Sequence, residues 1–179
     1  MKSSKFLALA GVTLLATGVL AACSGSGSGA KGEKTFSYIY ETDPDNLNYL
    51  TTNKAATANI TSNVVDGLLE NDRYGNFVPS MAEDWSVSKD GLTYTYTIRK
   101  DAKWYTSEGE EYAAVKAQDF VTGLKYAADK KSDGLYLVQD SIKGLDAYVK
   151  GEIKDFSQVG IKALDDQTIQ YTLNKPESF

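Results

Sequence analysis

The chain has 179 residues, with 24 acidic against 19 basic side chains, a net charge of −5, 42% hydrophobic residues and one cysteine. It contains no histidine, which excludes imidazole-built zinc sites, Ser-His and Cys-His nucleophile pairs and the commonest general base. The acidic balance disfavours nucleic acid and anionic headgroups as partners, and a lone cysteine excludes an intrachain disulfide.

The first 22 residues read as a leader. Lys2 and Lys5 give it a positive start, Phe6 to Leu20 is an uncharged apolar run, and Leu20-Ala21-Ala22 precedes Cys23. That is the pattern of an export signal with a small-residue cleavage site, and the run is short for a bilayer span. Leu-Ala-Ala-Cys resembles the lipobox of bacterial lipoproteins, which implies a diacylglycerol and palmitate on Cys23 and no other bound group or cofactor. The alternative is a plain secretory signal with an incidental cysteine. Two acyl chains hold a protein on a membrane where one does not. Loss of the leader leaves 17 basic against 24 acidic residues, a net charge of −7. Residues 23–35 are rich in glycine and serine, and such a tract is expected to act as a flexible tether.

Phe36 to Thr42 alternates Phe36, Tyr38 and Tyr40 with Ser37 and Ile39, which predicts a strand ended by Asp43-Pro44. Asp43, Asp45, Asn46 and Asn48 are superficially like a calcium loop, but Asn48 and Lys54 stand where the glycine and the glutamate belong. These side chains are read as turn formers. Ile60, Val64, Val65, Leu68 and Leu69 predict an amphipathic helix over Ala58 to Asn71, capped near Thr57. Arg73 to Asn76 is a turn.

The pattern from Glu83 to Arg99 has period two on both sides of Lys89-Asp90-Gly91, which predicts a hairpin. One face carries Trp85, Val87, Leu92, Tyr94, Tyr96 and Ile98; the other carries serines and threonines. Thr106 to Glu111 is a polar loop. Lys116 to Ala128 is a predicted helix with Phe120, Leu124 and Ala127 on one face and Asp119 near its positive end. Leu137 to Val149 is a second helical candidate, with Leu145 and Val149 inward and Gly144 interrupting. Val159 to Ala163 and Thr168 to Leu173 predict another hairpin. Its Asp165-Asp166 pair is read as turn-forming rather than as an acid and base pair.

In order along the chain stand Val65-Asp66-Gly67-Leu68-Leu69-Glu70, Gly75, Pro79, Met81-Ala82-Glu83-Asp84-Trp85, Asp90 to Arg99, Trp104, Ala117-Gln118-Asp119-Phe120 and Gly160 to Asp166. This ordered set resembles the N-terminal signature of the bacterial extracellular solute-binding proteins of family 5, those for oligopeptides. With the lipobox, the chain is similar to the oligopeptide-binding lipoproteins of streptococcal ABC importers, the Ami and Ali type. It departs from the family at Ser107-Glu108-Gly109 and at Lys116-Ala117, where an Asp-Gly and a Thr-Ala pair are usual.

The resemblance implies a mixed α/β fold, the N-terminal part of a two-lobed periplasmic-binding-protein-like architecture. Residues 36–53 would supply a first-lobe strand and turn, 54–173 the small second domain with hairpins and two or three helices, and 174–179 a return to the first lobe. It further implies a monomeric protein, not an enzyme, held by its lipid anchor on the extracellular face of the cell membrane. Such a protein closes around extended oligopeptides and delivers them to a membrane permease served by ATPase subunits. Glu41 lies where the family places an acidic residue near the peptide, with Tyr40 and Thr42 beside it, or it is a solvent-facing carboxylate. Family members are several times longer, so the 179 residues alone are expected to be a fragment that binds peptide weakly or not at all. The open alternatives are a surface-displayed lipoprotein without a transport role and a binder of another solute, such as a dipeptide or a nickel complex.

Overall fold

Polar side chains that bond back to the backbone decide where the first helix ends. The computed structural model describes residues 37, 39 and 42–177, and in it helix α1 spans only Ala55–Thr61. Thr61 Oγ1 donates to Thr57 O at 3.0 Å and Asn63 Nδ2 to Asn59 O at 2.7 Å. Side chains that capture carbonyls in this way compete with the helical ladder. The start also differs from expectation: Lys54 is the N-cap, without a side-chain cap. Thr57 is instead buried, its Oγ1 donating to Asn46 O at 2.7 Å.

The expected helix continues as a turn and irregular backbone and ends as a strand. β1 (Leu69–Asn71) pairs antiparallel with β2 (Phe77–Pro79), with Leu69 opposite Pro79 and Asn71 opposite Phe77. The expected turn lies between them. Asp72 Oδ1 accepts from Tyr74 N at 2.8 Å and Asn76 N at 3.0 Å, and Gly75 sits at φ +83°, where a side chain would be strained.

β3 (Ala82–Val87) and β4 (Thr93–Ile98) form the expected hairpin, Trp85 opposite Tyr96 and Val87 opposite Tyr94. Its turn is tied by Asp90 Oδ1, which accepts from Ser88 Oγ at 2.5 Å and Leu92 N at 3.1 Å. Along β3 the register shifts at a bulge between Ala82 and Asp84, and Asp84 Oδ1 accepts from the Trp85 amide at 2.8 Å.

A hairpin that the polar-loop reading did not include follows. β5 (Lys103–Tyr105) pairs with β6 (Glu111–Ala114) around Thr106 to Glu110. Helix α2 spans Ala117–Asp129. At the departure from the family pattern, Lys116 is the N-cap, and Asp119 Oδ2 reaches back to accept from its amide at 2.9 Å. A carboxylate there suits the positive end of the helix.

The second helical candidate is not continuous. Leu135–Leu137 is one 3-10 turn, and α3 is the short Leu145–Val149. Gly144 at φ +73° separates them. Ile142 bridges to Leu173, and the Lys143 amide donates to Thr172 O at 2.9 Å, so this stretch is held as an extension of the sheet. Leu145 is fully buried as expected, whereas Leu137 is exposed.

β7 (Ile161–Ala163) and β8 (Thr168–Thr172) complete an antiparallel sheet of order β3-β4-β8-β7. Registers Tyr94 opposite Tyr171, Tyr96 opposite Ile169 and Ile161 opposite Tyr171 put these side chains and Ile98 on one face. The threonines of β4 and β8 occupy the other. α2 packs on β7 and β8 and α3 packs on α2, and Ile98, Leu145, Val159 and Ile169 between them are sealed from solvent. At about 1.5–3 kcal/mol per large apolar side chain, this layer is the main source of stability. The mixed helix and strand architecture expected from the sequence is therefore present. Among the described residues no helix is long and apolar enough to cross a membrane.

Candidate functional site

The residues singled out from the sequence fall mostly outside what the structure describes. Cys23, Tyr40 and Glu41 lie outside the described residues, as does most of the strand expected at Phe36 to Thr42. Thr42 is described; it is exposed at a bend. The segment after it is fastened to the body of the protein. Asn48 Nδ2 donates to Tyr126 Oη on α2 at 3.0 Å, the Asp133 amide donates to Thr51 O at 3.2 Å, and Lys54 pairs with Asp45. Asn46 Oδ1 accepts from the Asn48 amide at 2.9 Å. Asn46 thus serves the turn, in line with its reading as a turn former, whereas Asp45 is engaged by Lys54.

Asp165 and Asp166 are likewise occupied separately. Asp165 Oδ1 accepts from Gln167 N at 2.8 Å and Thr168 N at 2.7 Å, while Asp166 pairs with Lys116 Nζ at 2.8 Å. The Gln167 amide, followed by the Thr168 hydroxyl, holds the Asp165 carboxyl below the usual carboxylate range. Among the described residues no three acidic or cysteine side chains gather where they could hold a metal ion.

Sequence reasoning missed an open groove of about 1510 Å³. One wall is α2, with Phe120, Gly123 and Leu124; another is the stretch Thr61 to Gly67; the hairpin of β5 and β6 adds Trp104 and Tyr105; Met81 and Arg99 lie at the sheet. Trp104 is fixed in its wall, Nε1 donating to Asp119 Oδ2 at 2.9 Å. Arg99 Nε lies 3.6 Å from Asp101 Oδ1, is shut from solvent and makes no hydrogen bond among the described residues. A smaller hollow of about 280 Å³ opens between Leu69, Phe77, Trp85, Tyr94 and Tyr96. Of the groove's walls only the hairpin left a trace in the sequence: Trp104, Tyr105 and Tyr112 flank a Thr-Ser-Glu-Gly turn, and aromatic residues on both sides of a turn suit paired strands. These surfaces can bury apolar groups and accept or donate a few hydrogen bonds, which is the equipment of a binding unit.

An antiparallel sheet with helices packed on it and open apolar hollows is the architecture in which these residues are set. The family model for the bacterial extracellular solute-binding proteins, family 5 (middle), matches residues 76–179. The chain belongs to that family. Over all 179 residues it is 93% identical to the oligopeptide-binding protein AliA of Streptococcus pneumoniae serotype 4, of which it covers 27%. The periplasmic oligopeptide-binding protein OppAIV of Borrelia burgdorferi superposes with a TM-score of 0.68 at 27% identity, over 77% of this chain and 27% of that one. Peptide-bound OppA of Listeria monocytogenes superposes with a TM-score of 0.65 at 29% identity, over 74% and 25%. The chain spans about a quarter of the length of these relatives.

Proposed function

We propose that this chain is the N-terminal part of the substrate-binding lipoprotein of an ABC importer, which captures extracellular oligopeptides and hands them to a membrane permease. The observation that carries the reading is the 93% identity along the entire chain to a protein named for oligopeptide binding. It is supported by the lack of histidine and by the separate engagement of Asp165 and Asp166, which leave no acid and base pair there for hydrolysis. The protein acts by binding and release, not as an enzyme. Cys23 carries the diacylglycerol and palmitate that keep it, as a monomer, on the outer face of the cell membrane.

Peptide is held through its main chain, by strand-like pairing that tolerates many side chains. Glu41 meets the charged end of the peptide, with Tyr40 and Thr42 at its sides. The 179 residues alone span about a quarter of their relatives, so they bind peptide weakly or not at all. Titration of a fluorescent peptide into the 179-residue chain, and into a chain continued to the length of the pneumococcal relative, tests this. Saturable binding by the longer chain alone is expected. The assignment of Glu41 fails if Glu41→Ala leaves the affinity of the longer chain unchanged by calorimetry.

A further inference from the structure

After β8 the chain runs back along the start of β4 and is fastened there three times. The Leu173 amide donates to Leu92 O at 2.8 Å, Pro176 Cβ stands 3.1 Å from the place a Cβ would take on Gly91, and Tyr94 Oη donates to Glu177 O at 2.9 Å. Tyr94 is also a wall of the hollow of about 280 Å³, beside Phe77, Trp85 and Tyr96. Phe77 is 50% exposed and the other three rings are half-buried. α2 packs on β7 and β8, so the β3 and β4 half of this face depends on other cover. The hollow is smaller than the roughly 300–1,000 Å³ of sites for drug-sized ligands, whereas an apolar cavity of about 150 Å³ already holds benzene. Its size is that of one aromatic side chain.

Ser178 and Phe179 follow Glu177. Two residues span at most about 7 Å, and the carbonyl from which they continue is hydrogen-bonded to the hollow's own wall. We propose that the ring of Phe179 docks in this hollow, against Trp85 and Tyr96. No charged side chain lines it, which suits a phenyl ring and disfavours the neighbouring Lys175 and Glu177 as occupants. Aromatic rings gain most when offset or edge to face, with centroids about 4.5–7 Å apart, and a pocket walled by four rings offers such partners on several sides. The Tyr94 bond to Glu177 holds the backbone where the ring can enter. This contact lies within the chain and holds whether or not the protein binds peptide.

Trp85 and Trp104 are the two tryptophans, so in Trp104→Phe the tryptophan fluorescence of the 179-residue chain reports Trp85 alone. In that background Phe179→Ala is expected to raise the acrylamide quenching constant of Trp85 by about twofold or more, while Phe179→Tyr changes it little. Benzene added to Phe179→Ala restores the shielding, and added to the parent it shields Trp85 no further, because the ring already occupies the site. Nuclear Overhauser contacts from labelled phenylalanine to the Trp85 indole provide a second measurement that needs no change at Trp104. Some of them are expected to vanish in Phe179→Ala, and those from Phe77 to remain. Unchanged quenching and unchanged Overhauser contacts in Phe179→Ala overturn the proposal, as does shielding of the parent by benzene. So does quenching in the parent that weakens as protein concentration rises, which would make a second copy the occupant.

Discussion

Trp104 and Asp119, fifteen positions apart, share one oxygen with the start of a helix: Asp119 Oδ2 accepts from Trp104 Nε1 and from the Lys116 amide, both at 2.9 Å. The carboxylate thus caps α2 and locks the indole that walls the groove. Asp119→Ala removes both bonds and is expected to cost about 1–3 kcal/mol, read from urea unfolding. Trp104→Phe removes only the tie and should cost about half as much. Equal losses would show that the cap contributes nothing.

Two glycines should respond in opposite directions to the same substitution. A Cβ at Gly160 would run into the Thr172 carbonyl oxygen and stand 3.0 Å from Lys143 Cβ, in a place where the backbone of β8 cannot yield. Gly160→Ala is expected to destabilise by about 1–3 kcal/mol. Gly123 lies inside α2 with nothing within 4 Å of its Cβ position, so Gly123→Ala should stabilise the 179-residue chain by about 0.5–1 kcal/mol. Thermal unfolding of the two variants side by side decides it.

Acid should unfold the protein through its turns. Asp72 is held low by the Asn76 side chain first and then by amides of its turn, and Asp165 by the Gln167 amide. A carboxyl whose folded value is depressed adds stability that is present above its unfolded value, near pH 4, and is lost as pH falls through the folded value. The Tm is expected to be level from about pH 7 to 5 and to fall below about pH 4. Asp165→Asn keeps an acceptor for Gln167 and should make the fall shallower. A fall as steep as in the parent chain would assign the acid loss elsewhere.

At the alkaline end the relevant group is Tyr171. Burial raises it above the ordinary tyrosine range, with the nearby Tyr96 adding to the shift, and the two rings meet edge to face at 6.0 Å between centroids. A raised folded value means stability that is full below the unfolded value, near pH 10, and lost as pH climbs through the folded one. Tyr171→Phe should leave stability at pH 7 within about 1 kcal/mol and move base-induced unfolding to higher pH. Circular dichroism between about pH 9 and 12 measures it; an unmoved midpoint would remove Tyr171 from the account.

The parts of the fold legible in the sequence are those where one residue pattern had one reading. Alternating tyrosine and threonine in β4 could bury only one face, and Phe120, Leu124 and Ala127 share one side of α2. Where the chain went otherwise, a second physical effect overrode the pattern. Thr61, Ser62 and Asn63 bond back to carbonyls and stop α1 against an apolar period that continues. Gly144 takes a left-handed conformation and breaks the candidate at Leu137 to Val149. Short strands such as β5 offer too few residues for a period of two to show. The groove was illegible for a different reason: its walls come from stretches distant in sequence, and only their assembly makes a concavity.

The bulge and the carboxylate on β3 bear on what happens when many copies stand close together. An outer strand with free amides invites a neighbour to zip onto it, and repeated zipping grows filaments. Here the kink after Ala82 spoils the match, Asp84 covers the Trp85 amide, and Glu83 beside it would set like charges against each other in any copy lined up edge to edge. This margin of the sheet therefore offers a poor template to a second copy.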